Sequence, residues 1–231
     1  MTTPLRFLSY RYPWLYDGIS RTAALTVGGE QRFRNLALQN IALSPASAVL
    51  DLCCGGGQTT VFLASSGAQV TGLDASPRAI ERARREVPHA TFVEGWAEAM
   101  PLADAIFDLV HSSAAMHEME SDQRRRIFAE VWRVLKPGGQ FALVDFHRPQ
   151  NPLFWPGLAL FLWLFETHTA WNMLAVDLEQ ELTDLGFVDQ HSQLHAGGSL
   201  QVIQVTKPII PIPSQSNVAG GVHDSSAKAR L

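Results

Sequence analysis

Short apolar runs alternate along this chain with segments whose apolar positions recur every three or four residues. The alternation starts after Pro45. Residues 48–53 (AVLDLC) read as a buried strand and residues 58–66 as the helix that follows it. Residues 70–74 (VTGLD) are a second strand. Ser76 is placed to cap the next helix, with Pro77 at its first position, and the pattern runs to Glu86. Residues 91–93 and 107–111 (FDLVH) are further strands. Ser121 is expected to cap a helix over 121–135, which Lys136-Pro137-Gly138-Gly139 stops. Residues 141–146 (FALVDF) make a fifth strand. A helix over 177–185 and two closing strands, 187–194 and 200–206, complete the pattern. Strands separated by helix-length segments predict an α/β fold with a mostly parallel, doubly wound sheet.

Three regions depart from this rhythm. Residues 1–44 mix aromatics and arginines and are expected to form a helical lid over the main domain, residues 45–207. Residues 208–231 are rich in turn formers, lack a period and are expected to be disordered. Residues 153–165 (LFWPGLALFLWLF) carry no charge and sit in an apolar cap segment, 152–175. Spanning a bilayer takes roughly 20 apolar residues, so this stretch is too short to cross one. It is apolar all round, unlike a surface helix with one polar face. Lining a tunnel for a lipid tail, resting in a membrane interface with Trp155 and Trp163 as anchors, and burial under the lid all remain open.

The densest chemistry lies in VLDLCCGGGQTT followed by VTGLDAS. Asp51 sits at the end of strand one, and Gly55, Gly56 and Gly57 turn the chain into the next helix. Glycine there lets the backbone approach a ligand closely. Asp74, 23 positions later, ends strand two. In a doubly wound sheet both acids face the crevice at the carboxyl ends of the strands. A carboxylate at Asp74 can accept both ribose hydroxyls of an adenosine cofactor. A nicotinamide-dependent oxidoreductase shares part of this pattern. However, an acid at Asp51 would repel a pyrophosphate, whereas it can pair with the ammonium of a methionine moiety.

Composition narrows the partners. A formal net charge of -4 over 231 residues gives no basic stripe for nucleic acid. The two cysteines, Cys53 and Cys54, are adjacent, suit a reducing cytoplasm and lack zinc-site spacing; no metal is expected. Residues 1–8 contain no signal-peptide core. The arginine groups 82, 84, 85 and 124–126 are expected on solvated helix faces, with attraction to anionic lipid headgroups as the sharper alternative.

DLCCGGG resembles the D-x-G-x-G-x-G signature of class I S-adenosylmethionine-dependent methyltransferases, with Cys53 at the first glycine. RVLKPGGQFALVDF is similar to that family's stretch before and through strand five, and the resemblance spans residues 10–207. It implies a Rossmann-like, seven-stranded sheet with an antiparallel final strand and S-adenosyl-L-methionine as cofactor. Asp51 and the Gly55–Gly57 turn would hold the methionine end and Asp74 the ribose, with Cys53, Ala75, Ala97 and Ser112 alongside. Family members often place a Gly-Asp-Ala after strand three, whose aspartate bonds the adenine. Here Gly95-Trp96-Ala97-Glu98 stands instead, and Trp96 either packs near the adenine or is a core or lid tryptophan.

YPWLYDGISRTAALTVGGEQRFR resembles the ubiquinone and menaquinone C-methyltransferases. SSAAMHEM, VDFHRPQNPLFWP, LFETHTAW and AGGSLQVIQ look closer still to the demethylphylloquinone methyltransferases of oxygenic phototrophs. That resemblance implies a prenylated naphthoquinol substrate, demethylphylloquinol, methylated at a ring carbon, with peripheral membrane contact open. His117, in the loop after strand four, is the first candidate base, with Glu118 either orienting it or a solvated loop charge, and His147, flanked by Asp145 and Arg148, the second; a hydrogen-bonded structural histidine is the alternative for each. Tyr16, Trp155, Phe161, Glu166 and Trp171 would touch the substrate. Against this stand another prenylquinol, a small water-soluble acceptor, the oxidoreductase, and a non-catalytic binding protein that kept the fold.

Overall fold

The computed structural model describes residue 18 and residues 24–209. Seven strands form one sheet in the order β3-β2-β1-β4-β5-β7-β6. They are β1 (Ala48–Leu52), β2 (Gln69–Asp74), β3 (Thr91–Glu94), β4 (Phe107–Ser113), β5 (Leu135–Phe146), β6 (Val188–His195) and β7 (Leu200–Thr206). The first five run parallel; β7 lies antiparallel between β5 and β6. The expected doubly wound sheet with antiparallel closing strands is therefore present. The strand order reverses between β1 and β4, so their carboxyl ends open the crevice where such folds bind ligands.

Successive strand side chains point to opposite faces, and both faces are covered. Leu50, Val110, Leu143 and Ile203 enter one core, with Ile127, Phe128, Val131 and Val134 of α4 (Ser121–Val134) and Leu178 and Leu182 of α7 (Leu178–Asp184). Their neighbours Val49, Leu109, Ala142 and Val202 enter the other. That second core is roofed by α1 (Glu30–Asn35), α2 (Thr60–Ser65) and α3 (Pro77–Glu86), through Phe33, Leu63, Ile80 and Ala83. Each buried valine, leucine, isoleucine or phenylalanine among these contributes about 1.5–3 kcal/mol relative to exposure. Residues 24–44 are tied to the sheet by Gln204, whose side-chain amide donates to the carbonyls of Ala37 at 2.9 Å and Gln39 at 2.8 Å.

Local expectations fare unevenly. Ser76 caps α3, accepting from the Ala79 amide at 3.3 Å, and Asp177 caps α7 in the same way at 2.9 Å. Ser121 does not cap α4: it is the first helical residue, and its hydroxyl accepts from Arg124 Nη2 at 3.3 Å. Arg124 is not on a solvated face. It is buried, and donates both Nε and Nη2 to Glu181 on α7 at 2.8 Å. The Lys136–Gly139 stretch ends the helix but also belongs to β5, which begins at Leu135 with an irregular register opposite Phe107 and Leu109. Gly139 fits there because an added Cβ would stand 2.9 Å from the Lys136 carbonyl oxygen and 3.0 Å from that of Phe107.

The apolar segment forms α5 (Trp155–Phe165), followed by α6 (His168–Met173). Only Leu162 of α5 is fully buried, while Trp163 is 67% and Leu160 56% exposed. Among the described residues no helix is long and apolar enough to cross a membrane.

Candidate active site

The turn after β1 is built on left-handed backbone. Cys53 has φ 57°, Gly55 φ 54° and Gly57 φ 86°. A non-glycine residue in this region carries a cost of order 1–2 kcal/mol, which explains why glycine suits position 53 and what its replacement by cysteine strains. The Cys54 amide donates to the Leu73 carbonyl at 3.0 Å, and the Gly55 amide to Asp74 Oδ2 at 2.9 Å. The turn is thus pinned to the end of β2. Gly57 serves packing: an added Cβ would lie 3.3 Å from Ala83 of α3. Over Gly56 lies the Arg82 side chain, which enters the crevice rather than facing solvent with Arg85. Burial pushes both thiols upward, reinforced by the nearby Asp51 and Asp74 carboxylates, so Cys53 and Cys54 stay protonated and poorly nucleophilic.

The two strand-end acids are held differently. Asp51 is buried; its Oδ2 accepts from Thr60 Oγ1 at 2.6 Å, and Oδ1 faces His111 Nδ1 at 3.4 Å. Asp74 accepts the Gly55 amide on one oxygen and the Ser76 amide, at 2.9 Å, on the other. Each Asp74 oxygen keeps a further lone pair, which suits a vicinal diol. Asp51 keeps acceptor capacity for an ammonium group. This donor and acceptor set fits S-adenosylmethionine.

A cavity of about 1480 Å³ unites these groups with the loop after β4 and with α5. Of the residues expected around the cofactor, Asp51, Cys53, Gly55, Asp74, Ala75, Trp96 and Ala97 line it. Trp96 is 64% exposed, so it is not a core tryptophan. Gly57 and Ser112 are not on the lining. Ser112 falls inside β4, which runs two residues longer than expected, and its hydroxyl is buried in the sheet; Ser113 and Ala115 take the crevice side. Of the residues expected around the substrate, Phe161 and Glu166 line the cavity. Trp155 and Trp171 do not; they pack edge to face with each other at 6.5 Å. Tyr16 lies outside the described residues.

His117 and His147 separate clearly. His147 lies off the cavity lining and is bound through Nδ1 to the Gly198 carbonyl at 2.8 Å. His117 is 3% exposed, lines the cavity and stands between two carboxylates. Its Nδ1 is 2.7 Å from Asp145 Oδ1 and its Nε2 is 3.6 Å from Glu166 Oε2. Phe146 packs on the ring at 4.5 Å. Asp145 is itself fixed by the backbone amides of Met116, His117 and Phe146, at 2.7, 3.2 and 2.7 Å. Burial pulls the imidazole pKa down, but attraction and hydrogen bonding to Asp145 and then Glu166 outweigh it, pushing it up to about 10. His117 is therefore an imidazolium at neutral pH.

Asp145, rather than Glu118, orients this ring, and sequence reasoning gave it no part beyond flanking His147. Its one signal is an acid inside the apolar run FALVDF. Glu118 contributes otherwise: donor atoms of His117, Glu118 and Glu166 lie within 4.8 Å of one another. The imidazolium supplies the positive charge that lets these carboxylates share one corner of the cavity.

Comparisons with known proteins agree with this geometry. Residues 49–139 match the family described as a methyltransferase domain. The chain is 58% identical over 204 residues to an uncharacterized methyltransferase of Synechocystis, covering 88% of this chain and 96% of the relative. It is 31% identical to the 2-phytyl-1,4-naphtoquinone methyltransferase of Trichormus variabilis, over 67% of this chain and 69% of that one. A demethylmenaquinone methyltransferase of Renibacterium salmoninarum is 32% identical over 54% of this chain and 52% of its own. Among solved structures, a TehB-like SAM-dependent methyltransferase of Corynebacterium glutamicum superposes with a TM-score of 0.62 at 19% identity, covering 86% of this chain and 97% of that one. These likenesses overturn the nicotinamide alternative. The chain belongs to the class I S-adenosylmethionine-dependent methyltransferases.

Proposed function

We propose that this enzyme methylates a ring carbon of a prenylated naphthoquinol, demethylphylloquinol, to give phylloquinol. The observation that carries the reading is the composition of this cavity. It runs from the carboxylates Asp51 and Asp74, past the Asp145–His117–Glu166 chain, to an apolar wall of Leu153, Phe154, Leu158, Phe161 and Phe165. A polar cofactor end, a proton-handling centre and an apolar channel suit a substrate with a hydroxylated ring and a long hydrocarbon tail. Relatives named for phytylnaphthoquinone and demethylmenaquinone support the same class.

When bound, S-adenosylmethionine supplies an electrophilic methyl group on a sulfonium. In this reading Asp51 holds the ammonium of its methionine end, Asp74 the ribose hydroxyls, and Trp96 covers the adenine where an aspartate is lacking. The chain's task at the reacting centre is to hold ring and methyl in line and dry, which can supply several kcal/mol. A ring hydroxyl must also lose its proton to make the adjacent carbon nucleophilic. His117, already protonated, is poorly suited to accept it. Glu166, whose Oε2 lies 3.6 Å from Nε2, takes that proton, and the fixed imidazolium stabilises the quinolate oxygen. The ring carbon that gains the methyl group must then lose its own hydrogen as a proton for the ring to become an aromatic quinol again. Asp145 keeps the ring oriented. The exposed apolar side chains of α5 would rest in a membrane interface, so that the tail passes from bilayer to cavity without crossing water.

Tail dependence tests the substrate class. The unmethylated 1,4-naphthoquinol, which lacks the prenyl chain, should show kcat/KM at least about 100-fold below the phytylated quinol, since each buried methylene adds about 0.8 kcal/mol. Equal kcat/KM for both would instead favour a small water-soluble acceptor.

A further inference from the structure

We infer that Arg34 is the counter-ion for the carboxylate of the cofactor's methionine end, completing with Asp51 a pair that reads the amino acid as a zwitterion. The inference rests on the proposed placement of that end at Asp51.

Arg34 lies in the last turn of α1, and its guanidinium reaches across 25 positions to Thr59, Nη1 to Oγ1 at 3.4 Å. Thr59 is the neighbour of Thr60, whose hydroxyl donates to Asp51 at 2.6 Å. The cation is thus brought to the glycine-turn end of the cavity, beside the acid proposed to hold the ammonium, and both line the cavity. An α-amino acid carries its two charges on one carbon, so a site that reads both needs opposite charges side by side.

Burial singles this arginine out. Arg78 and Arg82 also line the cavity, but Arg78 is exposed and Arg82 half-buried, whereas Arg34 is 8% exposed. A guanidinium partly withdrawn from water interacts more strongly with an approaching anion than an exposed one does. Glu30, one helical turn back, approaches Nη2 at 3.8 Å, and the guanidinium carbon lies 5.3 Å from the Phe33 ring centroid. Against a carboxylate the planar fork makes two parallel charge-assisted bonds, a geometry that lysine lacks.

Calorimetry on the full chain with three ligands tests the assignment: S-adenosylmethionine; its decarboxylated form, which keeps the ammonium; and 5′-methylthioadenosine, which has neither group. Arg34→Gln should weaken S-adenosylmethionine about 10- to 100-fold and leave the other two within about twofold. Arg34→Lys should show a smaller loss, again confined to S-adenosylmethionine. Equal weakening of all three ligands, or none, would overturn the assignment, as would a selective loss in Arg82→Gln in place of Arg34→Gln. Asp51→Asn separates the two levels of the argument, because it should weaken both ammonium-bearing ligands and spare methylthioadenosine. If that pattern holds while Arg34→Gln is unselective, only the Arg34 assignment fails; if neither variant discriminates, the placement at Asp51 fails with it.

Discussion

His117 illustrates what a single residue can and cannot disclose from its sequence position. A histidine in the loop after β4 is legible as a group at the crevice. Its charge state is not, because that depends on Asp145, 28 positions away, and Glu166, 49 away, which meet it only in the fold. The raised pKa has a thermodynamic consequence. Folded His117 titrates near 10 against 6.5 in the unfolded chain, so between these values the folded state holds the extra proton and stability falls as pH rises. The contribution is complete below pH 6.5 and lost through pH 10. Urea melts from pH 6.5 to 7.5, below the range where unfolded thiols ionise, should show this decline in the wild type and a flatter profile in His117→Gln. Equal slopes would mean that the imidazole is not held as a cation. Cys53 was the more legible residue: it stands where the signature has glycine, and its left-handed backbone shows the constraint that glycine answers.

At the scale of elements, periodicity located every strand, and boundaries shifted where long-range partners decide them. β4 runs on to Ser113 because β5 continues to pair with it, which turns Ser112 into the sheet and off the crevice. The Lys136–Gly139 stretch reads locally as a stop. In the fold the Lys207 ammonium, arriving from the end of β7, donates to the Trp132 and Leu135 carbonyls at 2.7 and 2.8 Å and closes the end of α4. The Arg124–Glu181 pair, 57 residues apart, similarly joins α4 to α7 and was illegible as anything but surface charge. Removing one partner leaves a buried cation, so Glu181→Ala should lower unfolding free energy by about 3 kcal/mol in denaturant titration. Arg124→Met, which leaves behind the more exposed of the two charges, Glu181, should cost less. A loss under about 0.5 kcal/mol for Glu181→Ala would place the pair in the class of exposed bridges.

Over the whole molecule, the doubly wound architecture and the crevice at the strand ends followed from the alternation of elements and two acids 23 positions apart. The direction of the cavity did not, since it depends on α5 lying across the sheet's open end. That helix turns Leu158, Phe161 and Phe165 toward the cavity and Leu160 and Trp163 outward. If the outward side meets lipid, Trp163→Glu should sharply reduce cosedimentation with liposomes while leaving thermal stability within about 0.5 kcal/mol, as surface substitutions usually do. Unchanged liposome binding would remove the interface from the account. The most direct measurement is methyl transfer from labelled S-adenosylmethionine to 2-phytyl-1,4-naphthoquinone, before and after reduction to the quinol, with the product's methyl group located by mass spectrometry. The account predicts ring-carbon methylation of the reduced form and none of the oxidised form. Cofactor binding without product from either form, or a methyl group on oxygen, would contradict it.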